Sequence, residues 1–251
     1  MRVALFVPCF MDQFFPRAAM ATAELLEKLG CHVEVPPDQT CCGQPLVNSG
    51  FTREAKAAID HHRRVFAGYD AVVCPSGSCT SMVRHHSGPA TGDCGASCGR
   101  LDGAGKTYEL CEFLHDVLKV QHLDARCHHR VGIHQACHGL RELRLGPSSE
   151  RPCALLPAKP QALLGLVEGL NLVSLNRPDE CCGFGGMFSV GEADVSRDMG
   201  LDRLADHQRA GVEIIASTDM SCLMHLEGLA RRRNLGLRFA HIAEILNGDL
   251  P

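Results

Sequence analysis

Each half of this 251-residue chain carries the same three cysteine phrases in the same order, and that repetition constrains the fold more than any other feature. In the first half Cys9 follows the apolar run Val3–Val7. Cys41-Cys42-Gly43 follows His32–Val35 through a Pro-rich turn, and Cys79 follows Ala71–Cys74 through Pro75-Ser76-Gly77-Ser78. In the second half Cys137 follows Val131–His134, Cys181-Cys182-Gly183 follows Leu172–Ser174, and Cys222 follows Ile214–Ser217. Three matched anchors in sequence imply an internal duplication.

The apolar runs alternate with stretches of helical composition and periodicity, at Arg17–Leu29, Thr52–Phe66, Lys106–Leu118, Gln161–Glu168, Glu192–Ala210 and Ser221–Arg233. That alternation is the pattern of βα units around a largely parallel sheet. The expected fold is therefore α/β, in two similar lobes, each a mainly parallel sheet flanked by helices. The CCG phrases then sit at strand carboxyl ends, where open α/β sheets place their sites. The Gly-rich segment Ser87–Gly105 is the natural divider, giving lobes at 1–105 and 106–251.

A chain this long can bury a proper core without disulfides, so its 15 cysteines, an odd number, need another explanation. In a reduced compartment, soft thiols point to metal or redox chemistry. The net charge of -4 lacks the basic excess that binding a phosphate backbone requires, which argues against a nucleic-acid partner. No apolar run approaches the ~20 residues of a membrane span. The amino terminus runs directly into a strand, and the expected location is cytoplasmic. Gly103-Ala104-Gly105-Lys106-Thr107 fails as a phosphate-binding loop, because Arg100 stands where the first glycine is needed. The CxxCxxCxxxCP run of ordinary ferredoxins is absent as well.

The phrases Cys41-Cys42-Gly43-Gln44-Pro45, Pro75-Ser76-Gly77-Ser78-Cys79, Cys181-Cys182-Gly183-Phe184-Gly185-Gly186 and the closing His241-Ile242-Ala243-Glu244-Ile245-Leu246 also carry a family resemblance. The chain resembles the CCG, or cysteine-rich, domain proteins: the CCG-bearing chain of heterodisulfide reductase, the iron–sulfur chain of glycolate oxidase, and most closely the lactate-utilisation protein A family. The resemblance implies an iron–sulfur subunit of a complex that oxidises a small 2-hydroxy acid, L-lactate to pyruvate in the last family. Its implied partners are a ferredoxin-type iron–sulfur protein and a further lactate-utilisation subunit.

The family's full motif is one Cys, then CC, then CxxC, five thiolates suited to a non-cubane four-iron cluster. Here Asp219 and Ser76 stand where the first Cys of each CxxC would be. A carboxylate is a harder, more easily displaced ligand than a thiolate, and a serine hydroxyl is poorer still. The first-choice metal set is thus Cys137, Cys181, Cys182 and Cys222, with Asp219 completing it. Cys9, Cys41, Cys42 and Cys79 are the second choice. Four thiolates also suffice for an ordinary four-iron, four-sulfur cluster.

Gly183, Gly185 and Gly186 would bring backbone N–H groups close to cluster sulfurs, and Ser76 and Ser78 open a helix whose N-terminus suits an anion. Each of these features also has a plainer reading. A CCG can be a tight turn with inward-packed thiols, Asp219 can cap the helix beginning near Ser221, and Ser76 can be a cap. Cys31 and Cys111 read as core fillers, whereas Cys94, Cys98 and Cys127 fall in polar loops. His134 and His138 flank Cys137 and could serve the site as ligand or proton carrier. Two rivals use the same thiols, a zinc-binding scaffold and a thiol–disulfide reductase of the heterodisulfide type.

Overall fold

In the computed structural model, which describes residues 1–86, 106–150 and 158–250, the chain builds two four-stranded parallel sheets. The first contains β1 (Arg2–Leu5), β2 (His32–Glu34), β3 (Ala71–Cys74) and β4 (Thr107–Glu109), in the order β2-β1-β3-β4. The second contains β5 (Arg130–His134), β6 (Asn171–Leu172), β7 (Ile214–Ser217) and β8 (Arg238–His241), in the matching order β6-β5-β7-β8. The α/β fold of two similar lobes is therefore present, and the duplication extends to topology. Strands β3 and β7, Ala-Val-Val-Cys and Ile-Ile-Ala-Ser, are buried at every residue, as central parallel strands covered on both faces must be.

The first lobe's helices are α1 (Cys9–Phe14), α2 (Pro16–Lys28), α3 (Gln44–Asn48), α4 (Thr52–Phe66) and α5 (Gly77–His86). After β4 comes α6 (Leu110–Glu112), continued by a π-helical turn at Phe113–Val117. The second lobe has a π-helical turn at His138–Glu142, then α7 (Lys159–Leu164), α8 (Phe188–Gly191), α9 (Ala193–Arg209), α10 (Met220–Arg232) and α11 (Ile242–Asn247). No helix among the described residues is long and apolar enough to cross a membrane.

Two expectations need correction. The segment Lys106–Leu118, expected as one helix, opens as β4, with Tyr108 beside Val73 in the first sheet, and becomes helical only at Leu110, where Glu109 caps the turn. Pairing with β3 overrides the helical periodicity that Leu110, Phe113 and Leu114 impose further on. The first sheet thus takes its last strand from beyond residue 105. Strand β8, which no apolar run announced, lies at Arg238–His241 because β7 offers it a parallel edge.

The lobes exchange their last helices. Helix α11 of the second lobe packs on α2 of the first, and α6 with its π-helical turn packs on α7. One core results, in which Ala21, Leu25 and Leu26 meet Ile242, Ile245 and Leu246. Burying each of the larger side chains contributes about 1.5–3 kcal/mol. Lys28 Nζ donates to the Asn247 side-chain oxygen at 2.8 Å, and Asn247 Nδ2 donates to Glu24 at 2.9 Å, which fixes the register of the contact. Cys31 and Cys111 are buried in this core as expected. Cys127, expected in a polar loop, is buried there too, while Cys94 and Cys98 lie outside the described residues.

Candidate metal centre

The cysteine phrases converge because two of the three in each lobe stand beyond the carboxyl ends of the central strands and the third follows the neighbouring edge strand, β2 or β6. Cys9 begins α1 directly after β1, and Cys79 lies in the first turn of α5 after β3. Cys137 and Cys222 repeat this after β5 and β7. The third component is a CCG turn, which needs glycine: Gly43 has φ 88° and Gly183 φ 85°. That left-handed turn points the Gly43 N–H at Cys41 Sγ, 3.5 Å away, and the Gly183 N–H at Cys181 Sγ, 3.3 Å away. Adjacent cysteines that a strand would send to opposite faces are thereby brought to one site.

In the first lobe Cys9 Sγ lies 3.9 Å from Cys41 Sγ, and Cys42 Sγ 3.5 Å from Cys79 Sγ. The second lobe repeats the chain of thiols, Cys181 having Cys137 and Cys182 as hydrogen-bonding neighbours and Cys182 having Cys222. All twelve described cysteines are free thiols. The electrostatics match at the CC pairs and differ at Cys79 and Cys222, where hydrogen bonds from Cys42 and Cys74 hold Cys79 well below its ordinary value while Cys222 is pushed up. Hydrogen bonds from Cys42 and Cys9 outweigh burial and pull Cys41 down to about 2, and bonds from Cys137 and Cys182 do the same for Cys181. Their neighbours Cys9, Cys42, Cys137 and Cys182 are pushed up instead. Each lobe thus carries a thiolate at its CC pair beside thiols held protonated, and a bound cation favours deprotonation of the rest.

Both quartets open on one cavity of about 420 Å³, lined by all eight of their cysteines. Gly185 and Gly186 line it as well, at φ 54° and 63°. No Lys or Arg lines it among the described residues; its cationic or neutral polar groups are limited to Gln44, Asn48, His138 and serines.

Asp219 and Ser76, which hold matching places in the two lobes, meet. Ser76 Oγ donates to Asp219 Oδ2 at 3.1 Å, and the Ser78 N–H donates to the same oxygen at 2.9 Å. Asp219 Oδ1 accepts from Ser221 Oγ at 2.6 Å and from the Ser221 N–H at 3.2 Å. The carboxylate therefore caps α10, as its position allowed, and also receives the N-terminus of α5. The anion that this helix end suits is supplied by the protein itself. Burial alone would push the Asp219 carboxyl up; hydrogen bonds from Ser221, Ser78 and Ser76 outweigh it and hold the carboxyl below its ordinary value. Ser76 caps α5 in turn, accepting from the Cys79 N–H at 3.2 Å.

His134, at the end of β5, is 1% exposed, and neither of its ring nitrogens has a hydrogen-bond partner. One of them lies within 4.8 Å of both Cys182 Sγ and Cys222 Sγ. Burial, with the charge of Arg203 second, pushes this imidazole down to about 4, so it is neutral. His138 lies on the cavity side, its Nδ1 3.6 Å from Cys137 Sγ and its Nε2 3.3 Å from Gln44. Arg203, Asp206 and His207 are fully buried behind β5 and were not anticipated, because their helix shows no clear apolar stripe to separate inward from outward positions.

The donors suit a soft metal group. Four thiols in each lobe converge without disulfides, two receive glycine N–H bonds, and a buried imidazole beside them lacks any partner.

A family model described as the cysteine-rich CCG domain matches residues 3–84 and 131–227. The chain is similar to proteins named lactate utilization protein A. That of Geobacillus kaustophilus (strain HTA426) is 42% identical over 249 residues, spanning 98% of this chain and 99% of the relative. That of Macrococcus caseolyticus (strain JCSC5402) is 39% identical over 250 residues, spanning 100% and 98%. That of Bacillus velezensis (strain DSM 23117 / BGSC 10A6 / LMG 26770 / FZB42) is 39% identical over 247 residues, spanning 98% and 99%.

Proposed function

The chain belongs to the cysteine-rich CCG domain family, and from that premise we propose that it is the iron–sulfur subunit of a cytoplasmic complex oxidising L-lactate to pyruvate. The observation that carries this reading is the pair of thiol quartets opening on one cavity. In it, Cys137, Cys181, Cys182 and Cys222 hold one iron–sulfur group, and Cys9, Cys41, Cys42 and Cys79 hold a second. When bound, such a group supplies reversible one-electron chemistry.

The remaining residues have supporting roles in the proposal. The Gly43 and Gly183 N–H groups stabilise anionic sulfur at Cys41 and Cys181. Gly185 and Gly186 leave room for close backbone approach. Asp219, with Ser76 and Ser78, holds the N-termini of α5 and α10 in place; with both its oxygens engaged, we assign it positioning in place of coordination.

The same cavity bears on which step the chain performs. A 2-hydroxy acid carries a carboxylate, and sites built for carboxylates use Arg or Lys. With neither among the described lining residues, and with the N-termini of α5 and α10 already given to Asp219, the proposal places lactate oxidation in a partner subunit. This chain relays the electrons, passing them to a ferredoxin-type iron–sulfur protein.

Anaerobic purification followed by iron, zinc and inorganic sulfide analysis and electron paramagnetic resonance tests the reading. Expected are iron and sulfide in comparable amounts, and reduction by lactate only when the partner subunits are added. A colourless protein with stoichiometric zinc and no sulfide would make it a zinc scaffold, and disulfide turnover without lactate would make it a thiol–disulfide reductase.

A further inference from the structure

The duplication makes the two lobes comparable residue by residue, and behind the thiols they differ sharply. Three residues before Cys9 stands Phe6, and three before Cys137 stands His134. Both side chains are buried. Helices α4 and α9 can be aligned through the CCG glycines, since a Cβ on Gly43 would meet Ala55 and one on Gly183 would meet Ser196. Two turns further along stand His62 and Arg203, and one turn beyond those Phe66 and His207. In the first lobe the group is aromatic: Phe6 packs edge-on against His62 at 4.6 Å and Phe66 at 5.5 Å. In the second it is polar. Arg203 is fully buried and pairs with Asp206 at 2.8 Å, and both ring nitrogens of His207 lack partners.

A buried imidazole with two unpartnered nitrogens is destabilising, and the Phe6 arrangement shows that this fold has an apolar solution for the position. The second lobe keeps the costly side chain at the place where it reaches sulfur. It also lacks a fifth thiolate, and Asp219, which occupies that place in the sequence, has its oxygens taken by Ser76, Ser78 and Ser221. We propose that His134 is the fifth donor of the second lobe, its imidazole nitrogen coordinating a metal ion of the group held by Cys182 and Cys222. The inference rests on the iron–sulfur reading above and makes the two sites chemically unequal. Compared with a five-thiolate set, a neutral nitrogen as fifth donor leaves the second-lobe group less negative, which favours its reduced state, as imidazole ligation does in other iron–sulfur centres.

The test uses the full chain with 15N-labelled histidine, reconstituted anaerobically with ferrous iron and sulfide, reduced, and examined by pulsed electron paramagnetic resonance. The expected spectrum shows one directly bound imidazole nitrogen. It is lost in His134→Phe and His134→Gln and kept in His138→Gln and His225→Gln, the variants of two other imidazoles near these thiols. His134→Gln leaves a polar side chain against Arg203, so it answers the question if the phenylalanine variant does not fold. A nitrogen signal that survives in both His134 variants, or is absent from wild type loaded with iron and sulfide, overturns the proposal while the iron–sulfur reading stands. Wild type that retains no inorganic sulfide overturns that reading instead, and Co2+ alone then decides for His134. A loss of affinity of ~10-fold or more in His134→Gln supports coordination, and unchanged affinity with an all-thiolate spectrum refutes it.

Discussion

Replacing Asp219 by asparagine should destabilise the protein far more than losing an ordinary helix cap. Each carboxylate oxygen accepts two hydrogen bonds, from Ser76 and the Ser78 N–H on one side and from the Ser221 hydroxyl and N–H on the other. Asparagine can turn its oxygen toward only one side. Its NH2 group then faces a serine hydroxyl, which can rotate, and a backbone N–H, which cannot. One buried donor is left without an acceptor, at about 1–3 kcal/mol, and the surviving bonds lose their charge assistance, bringing the cost to about 2–4 kcal/mol. A cap alone is worth about 1 kcal/mol.

For a protein of this size the change corresponds to a fall in Tm of about 4–16 °C, measured on the metal-free chain so that ligation plays no part. The loss should also depend on pH in a defined sense. Because the folded carboxyl lies below its ordinary 3.8, its contribution is complete above that value and is lost as pH falls through the folded value. Wild type and Asp219→Asn should therefore converge in acid. A variant within about 0.5 kcal/mol of wild type at neutral pH, or a gap that persists unchanged in acid, would refute the reasoning.

Three further outcomes are expected. Cys181→Ser with Cys182→Ser, and Cys41→Ser with Cys42→Ser, should each remove about half the bound iron, because a hydroxyl is a poor replacement for thiolate; full iron content in either pair would dismiss that lobe as a site. Gly183→Ala should cost more than Gly43→Ala by about 1–3 kcal/mol in urea unfolding: both need positive φ, but a Cβ on Gly183 would lie 2.7 Å from Met199 Cβ and Ser196 O, whereas one on Gly43 finds nothing closer than 3.5 Å. Glu109 is fully buried and pushed up to about 8 by burial, so it is protonated at neutral pH and its ionisation costs stability as pH rises from the ordinary carboxyl range toward 8. Glu109→Gln should flatten that loss, with a gain of a few kcal/mol at alkaline pH, read from unfolding curves at several pH values; an unchanged slope would clear Glu109.

Much of the fold was legible because the cysteine phrases and the apolar runs repeat together. Ala71–Cys74 and Ile214–Ser217 are buried on both faces and so had to read as continuous apolar runs. Thr107-Tyr108-Glu109 could not be read in the same way, since it is short and holds the sheet edge by hydrogen bonds to β3 that no side chain announces. At the centre, the spacing of the cysteines marked which of them would gather but could not show that both quartets would face one cavity, because that depends on how the sheets are set against each other. The bond between Ser76 and Asp219 spans the lobes and was invisible for the same reason. Arg203 and His207 lay hidden in a helix rich in charge on all sides, where position in the chain says little about direction.

The exchange of terminal helices bears on synthesis. As translation proceeds, α2 emerges early with Ala21, Leu25 and Leu26 uncovered, and the helix that covers them is made after every other described element. The first lobe cannot finish folding on the ribosome as an independent unit, so vectorial folding proceeds through a stage with an open apolar seam that a chaperone can hold and that a neighbouring nascent chain can stick to. A stop codon after His241 would leave the strands and every thiol of both quartets encoded and still deprive α2 of its cover. Duplication of one module has here produced a first copy that must wait for the second.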